Sequence, residues 1–333
     1  MSDAKRVGVV GASGFTGALA AELVWRHPRL ELAAATARAE AGTALAELYP
    51  RYRAPVTLEK YDAAAAAEWD AAIVAYPHGA AAPVVAELAG AGVPVVDLSA
   101  DFRIRERSTY ESWYGEHPAF ELVADAAYGL TELNREAVAA ARIVANPGCY
   151  PTATILGLAP LAAEGIAEDV IVDAKSGVSG AGRGGGDRLH FVNVDENLSA
   201  YGTAGHRHEP EIAQELAGLG ADVPVTFVPH LVPLDQGELV SCYVRPSRDV
   251  TAAELRSLYA ARYDGEPFVE LVDGPPGVRD VRDTNYCRIH VTTDTHGRPL
   301  VLSAIDNLWK GAAGQAIQNL NLMLGLPETE GLL

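Results

Sequence analysis

The chain has 333 residues, 49% hydrophobic and 21% charged, which is long enough for two domains with separate cores and too apolar for disorder. Its formal net charge of −18 at pH 7 argues against nucleic acid as a partner, because a phosphate backbone needs cations facing it. No apolar run reaches the ~18 residues of a membrane span, and three widely spaced cysteines (Cys149, Cys242, Cys287) suggest reduced thiols in a cytoplasmic protein.

The start, Met1-Ser2-Asp3-Ala4-Lys5-Arg6, shows no signal-peptide pattern and leads into the strand Val7-Gly8-Val9-Val10. Gly11-Ala12-Ser13-Gly14-Phe15-Thr16-Gly17 then reads as a glycine-rich turn into a helix carrying Leu19, Leu23 and Val24. Such a turn brings backbone amides at a helix N-terminus up to a pyrophosphate, which makes its seven residues candidate dinucleotide contacts. The strand Leu30 to Ala35 ends at Thr36-Ala37-Arg38, where a carboxylate would bind a ribose 2′-hydroxyl. Residues 32–39 contain none, and Arg38 suits a 2′-phosphate, so NADP(H) is favoured over NAD(H) at Thr36 and Arg38.

Ala71 to Tyr76 is a second buried strand, ending at Pro77-His78-Gly79. A helix over 80–91 follows, then the strand Val93 to Leu98, ending at Ser99-Ala100-Asp101-Phe102-Arg103. This alternation predicts an α/β protein with a doubly wound parallel (Rossmann) sheet whose ligands lie beyond the strands' carboxyl ends. Pro77 and His78 would border the nicotinamide there, with a loop histidine of no function as the alternative for His78. Arg103 is a fork for a phosphate or carboxylate, with a structural pair to Asp101 as the alternative. Residues 104–128 read as a polar and aromatic excursion, and a helix over 134–141 leads to the strand Arg142 to Ala145.

Asn146-Pro147-Gly148-Cys149-Tyr150-Pro151-Thr152 follows, placing one cysteine ahead of a helix over 152–158 with Pro151 in its first turn. Unpaired amides and the positive end of a helix stabilise a thiolate, so Cys149 is a candidate nucleophile; the alternative is a small buried hydrophobe. Further on, the strand Val170 to Ala174 runs into the loop Lys175-Ser176-Gly177-Val178-Ser179-Gly180-Ala181-Gly182-Arg183-Gly184-Gly185-Gly186, rich in amides and hydroxyls suited to an anion. Next comes His206-Arg207-His208, ahead of a helix with Ile212, Leu216 and Leu219 on one face. His208 sits at that helix start, where imidazolium is disfavoured and a neutral base can act; no third ligand supports a metal site. Strands over 225–228, 239–244, 287–292 and 300–305, with a helix over 252–263, predict a mostly antiparallel sheet in an α+β second domain. Cys242 and Cys287 fall inside these strands as inert core thiols.

Taken together, Gly11 to Gly17, Asp97 to Arg103, Asn146 to Thr152, Lys175 to Arg183, Gly205 to His208 with Pro210-Glu211-Ile212, and Asp306-Asn307-Leu308-Trp309-Lys310-Gly311-Ala312 resemble N-acetyl-gamma-glutamyl-phosphate reductases, relatives of aspartate-semialdehyde dehydrogenases. The motifs run in the family's order over nearly the whole chain. The resemblance implies a Rossmann domain (1–148 and 306–333) and a catalytic and oligomerisation domain (149–305). It implies Cys149 as nucleophile, a histidine of the pair His206 and His208 as acid/base, and Asn307 near the nicotinamide. On the same motifs Ser179 and Gly180 are expected on the cofactor, and Arg103, Asn146, Lys175, Ser176 and Glu211 on the substrate. The implied reaction is NADPH-dependent reductive dephosphorylation of an acyl phosphate in arginine biosynthesis, by a homo-oligomer (dimer or tetramer). A carrier-protein-linked reductase of lysine biosynthesis and a non-catalytic NADPH-sensing module are the rival readings. An acidic carrier would need a basic entrance, which this acidic chain disfavours.

Overall fold

A computed structural model describes residues 4–333; Met1, Ser2 and Asp3, and with them the beginning of the chain start read above, lie outside the described residues. The chain divides into two compact units, Met1–Pro147 with Ala312–Leu333, and Gly148–Gly311. The sequence reading placed the second boundary earlier, at 305/306.

In the first unit, β1 (Lys5–Val10), α1 (Phe15–Arg26) and β2 (Leu30–Thr36) are followed by single turns α2 (Leu45–Leu48) and α3 (Ala63–Ala66). Then come β3 (Ala71–Val74), α4 (Ala82–Gly90), β4 (Val95–Asp97), α5 (Arg107–Tyr114), β5 (Ala126–Tyr128), α6 (Thr131–Ala140) and β6 (Ile143–Ala145). The strands order as β2-β1-β3-β4-β6-β5, with every pairing parallel. β3, β4 and β6 are buried along their whole length, as strands covered on both faces require. The excursion over 104–128 hides an edge strand, β5; three residues are too few for a periodic signal.

The C-terminal helix α11 (Gly314–Met323) packs on α6, α1 and β4. Buried amides fix it there, which apolar periodicity could not reveal. Asn319 Oδ1 accepts from Thr131 Oγ1 at 2.7 Å, and its Nδ2 donates to Gly129 O at 2.8 Å and Asn146 Oδ1 at 3.0 Å.

The second unit contains α7 (Cys149–Ala163), β7 (Ala167–Gly177), α8 (Phe191–Val194), β8 (Ser199–Ala200), α9 (Glu209–Gly218), β9 (Val225–Val232), β10 (Glu238–Pro246), α10 (Ala252–Tyr263), β11 (Val269–Leu271), β12 (Cys287–Thr293) and β13 (Pro299–Ile305). The sheet order is β11-β12-β13-β10-β7-β9-β8. This sheet is mixed, which corrects the expectation of a mostly antiparallel one: β7 with β9 and β11 with β12 run parallel. The reason is connection length. Between β7 and β9 the chain makes a long excursion through α8 and α9, which permits a parallel return that a hairpin does not.

Helix α7 lies on one face of this sheet: a Cβ on Gly157 would stand 3.5 Å from Val301 and 3.6 Å from Ser303. Cross-strand register extends that face through Val240 and Cys242 to Val172 and Ala174. The other face carries the exposed cross-strand pair Ile171 and Tyr243, each 47% accessible. No helix among the described residues is long and apolar enough to cross a membrane.

Candidate active site

Cys149 is the first residue of α7, preceded by Gly148 in extended conformation as the cap. The helix therefore starts at the cysteine, ahead of the expected 152. Thr152 closes the first turn by donating its amide and hydroxyl to Gly148 O, both at 2.9 Å. From Tyr150 to Ala162 the helix is buried, so its positive end is poorly screened and favours a thiolate on its first residue. Two neighbours hold this start. The buried Glu211 Oε1 accepts from the Gly148 amide at 3.0 Å, and a side chain on Gly311 would place its Cβ 2.7 Å from Cys149 Cβ.

Both histidines pack beside Tyr150, the residue after the cysteine. Ring centroids of His206 and His208 lie 6.1 and 5.9 Å from that of Tyr150, and 4.9 Å from each other. His208 caps α9, as its sequence position predicts. His206 is enclosed by Tyr201 and Phe227, at 5.5 and 5.2 Å, and its Nδ1 accepts from the His208 amide at 3.1 Å. Burial, with the Arg207 charge behind it, pushes the His206 imidazole down to about 4. A ring that releases its proton so readily is a weak proton carrier at neutral pH, which favours His208 for that task.

Ser176, Ser179, Gly180 and Asn307 come together at the end of β7. Asn307 Nδ2 donates to Ser179 Oγ at 3.0 Å, and its Oδ1 accepts from the Gly237 amide at 2.7 Å. A Cβ on Gly180 would lie 3.1 Å from Ser176 Oγ and 3.6 Å from Asn307 Nδ2.

In the first unit the glycine turn is latched to the end of β2: the Gly11 and Ala12 amides donate to Thr36 O at 3.0 and 2.8 Å. Gly11 has φ of 90°, and a Cβ on Gly17 would come within 2.2 Å of Gly11 O, so neither tolerates a side chain. Gly14 caps α1 with no side chain over the helix start, and the buried Thr36 Oγ1 meets no partner among the described residues. Arg38 stacks on Tyr76 with its guanidinium carbon 4.5 Å from the ring centroid. An uncovered helix N-terminus, an orphan hydroxyl and a cation at the end of β2 fit a dinucleotide phosphate. Asp101 organises the neighbouring turn, accepting from the Gly79 amide at 2.7 Å, the Ala82 amide at 2.9 Å and Tyr110 Oη at 2.7 Å. His78 is exposed beside Tyr114, with ring centroids 5.0 Å apart.

Residues 6–141 match the family model of the semialdehyde dehydrogenase NAD-binding domain, and residues 149–307 that of the semialdehyde dehydrogenase dimerisation domain. N-acetyl-gamma-glutamyl-phosphate reductases of Desulforudis audaxviator and Halorhodospira halophila are 48% and 49% identical to the chain. The matches span 98% of the chain and 98% and 97% of those proteins. The chain belongs to the N-acetyl-gamma-glutamyl-phosphate reductase family. Among solved structures, aspartate semialdehyde dehydrogenase II of Vibrio cholerae complexed with ASA shares the fold, with a TM-score of 0.72 at 20% identity over 97% of this chain and 99% of that one. The Candida albicans aspartate semialdehyde dehydrogenase with NADP gives a TM-score of 0.69 at 16% identity over 96% and 98%.

Within this reductase, four expected substrate contacts have partners inside the protein. Asn146 is fully buried, and its amide is used internally, donating to Ala312 O at 3.2 Å and accepting from Asn319. Lys175 belongs to β7, not to a loop. It alternates onto the face opposite α7, where its Nζ meets Asp173 Oδ2 at 2.5 Å and Asp173 Oδ1 lies 3.2 Å from His230. Arg103 is 7% exposed, its Nε and Nη2 held by the carbonyls of Asn146 and Leu98 at 2.7 and 2.8 Å, and Asp101 is not its partner in these bonds. Glu211, expected on the substrate, is 1% exposed and turned to the Gly148 amide.

Sequence reasoning gave no place to Glu238, a carboxyl that the structure buries completely. Its signal was available: a carboxylate at the start of the apolar strand Leu239 to Val244, in period-two register with Val240 and Cys242.

Proposed function

We propose that the chain catalyses NADPH-dependent reductive dephosphorylation of N-acetyl-L-glutamyl 5-phosphate to N-acetyl-L-glutamate 5-semialdehyde through a thioester on Cys149. The observation that carries this reading is one residue's setting: a cysteine on the first position of a buried helix, with two imidazoles packed beside its neighbour Tyr150. Cys149 attacks the acyl carbon and phosphate departs, because a carboxylic derivative must become a thioester before it is readily reduced. NADPH supplies the hydride. His208 gives a proton to the substrate oxygen and takes it back as the aldehyde leaves. Amides at the start of α7 stabilise the oxyanion, while Ser176 and the Asn307–Ser179 pair supply polar contacts for substrate and cofactor. Phosphate-dependent NADP⁺ reduction with free N-acetylglutamate semialdehyde tests the activity; turnover only with carrier-bound substrate would replace it by the lysine-pathway reading.

Arg38 is assigned to the 2′-phosphate. Arg38→Ala is expected to raise the KM for NADPH about 10-fold or more and that for NADH less than about twofold, since a charge-assisted bond is worth ~1.5–3 kcal/mol. Equal rises for both cofactors would remove that role.

The match to a dimerisation domain supports homo-oligomerisation, and the exposed Ile171–Tyr243 face is assigned to that contact. Replacing both residues by aspartate should lower the native mass in light scattering to that of a single chain. An unchanged mass would move the contact elsewhere.

A further inference from the structure

We propose that Tyr76 is a positioning residue for cofactor choice. Its ring holds the Arg38 guanidinium in place while leaving the N–H donors to the 2′-phosphate of NADPH. This deepens, and rests on, the reading of Arg38 as the 2′-phosphate residue.

The inference stands on what Arg38 touches. The residue is exposed, two positions beyond β2, and its guanidinium carbon lies 4.5 Å from the centroid of the Tyr76 ring. Among the described residues no carboxylate pairs with this guanidinium and no carbonyl accepts from it. Arg103, in the same unit, shows the opposite arrangement, with Nε and Nη2 spent on backbone carbonyls. The backbone before Arg38 is already fixed. The Ala37 amide donates to Glu59 O at 2.8 Å, and the Glu59 amide donates to Ala35 O at 3.1 Å. What remains to be held is the side chain.

Tyr76 is a firm support for it. The Ala75 amide donates to Val10 O at 2.7 Å, which carries the parallel pairing of β3 with β1 one residue past the strand. The Tyr76 ring is half-buried and packs against the core cluster that contains Val10, Ala72 and Val74. Its edge meets the glycine turn as well: a Cβ on Gly11 would stand 2.9 Å from Tyr76 Cδ1. One ring thus borders both the turn suited to a pyrophosphate and the cation assigned to the 2′-phosphate.

An exposed arginine loses rotamer freedom when it binds a phosphate, which weakens the contact. A carboxylate would hold the side chain in advance, but it would cancel the charge and occupy the fork that a phosphate needs. An aromatic face attracts the cation through its quadrupole and takes up no donor. Stacking therefore orders the guanidinium plane without spending its hydrogen bonds. NADH presents a neutral 2′-hydroxyl in place of the phosphate, so the ring's contribution belongs to NADP(H) alone.

Titration calorimetry of the full chain with NADP⁺ and with NAD⁺ tests this through the ratio of the two Kd values. Tyr76→Leu should weaken NADP⁺ binding about 3–10-fold and NAD⁺ binding less than about twofold. Tyr76→Phe, which keeps an aromatic face, should hold the ratio within about twofold of wild type. In an Arg38→Ala background Tyr76→Leu should leave the ratio unchanged, because no guanidinium remains to be held. Equal weakening of both cofactors by Tyr76→Leu, or the same shift in ratio without Arg38, would overturn the proposal and leave the ring a support for the glycine turn. Should Tyr76→Leu fail to fold, Arg38→Lys decides. Lysine keeps the charge but has no plane to stack, so full NADP⁺ selectivity in that variant would overturn the proposal. Arg38→Ala alone separates the two readings. Equal loss for both cofactors sinks the 2′-phosphate assignment, whereas a selective loss beside an unchanged ratio in Tyr76→Leu sinks only the part given to the ring.

Discussion

Cys149→Ser is expected to lower kcat for acyl-phosphate reduction by roughly 10⁴–10⁶-fold, the scale seen when a covalent nucleophile is removed. Serine is nearly isosteric, so the fold should persist. The glycine turn, Thr36 and Arg38 all belong to the other unit, so NADPH binding should be unchanged by fluorescence titration. The size of the loss follows from the need for a thioester. A hydroxyl has no thiolate for the start of α7 to stabilise, and an ester is a poorer hydride acceptor. A residual rate within about 10-fold of wild type would show that the carbonyl is reduced without this sulfur.

His208→Ala is expected to cost about 10²–10⁴-fold in kcat, with a smaller change in KM. His206→Ala should act mainly on packing, because that ring is wedged between Tyr201 and Phe227 and burial holds it neutral down to about 4. The two variants, compared for kcat and for thermal stability, separate a proton carrier from a spacer. If His206→Ala carries the large kcat loss while His208→Ala is mild, the assignments exchange.

Much of this site was legible because its signals are local. Gly11, Gly14 and Gly17 between a strand and a helix specify a phosphate turn through backbone sterics alone. Glu209-Pro210 after His208 specifies a helix start through proline geometry. What escaped depends on partners distant in sequence. Nothing local to Asn146 reveals Asn319, which binds it from the C-terminal helix. Lys175 read as a loop cation because β7 continues to Gly177, beyond its apolar run, and strand alternation then turns the side chain away from α7. The parallel return of β9 beside β7 was likewise invisible, since direction is set by the crossover and not by either strand's composition. Glu238 lay within reach of period-two reasoning, but a single carboxylate at a strand's start looks like any solvated edge until its neighbours are known.

The proposed reaction passes through an acyl group on one sulfur. Incubation with N-acetylglutamate semialdehyde and NADP⁺ without phosphate, followed by acid quench and intact-mass measurement, tests it most directly. One added N-acetylglutamyl group is expected, mapped by peptide digestion to Cys149 and discharged when phosphate is restored. An enzyme that turns over in the presence of phosphate but never carries that mass on Cys149 would contradict it.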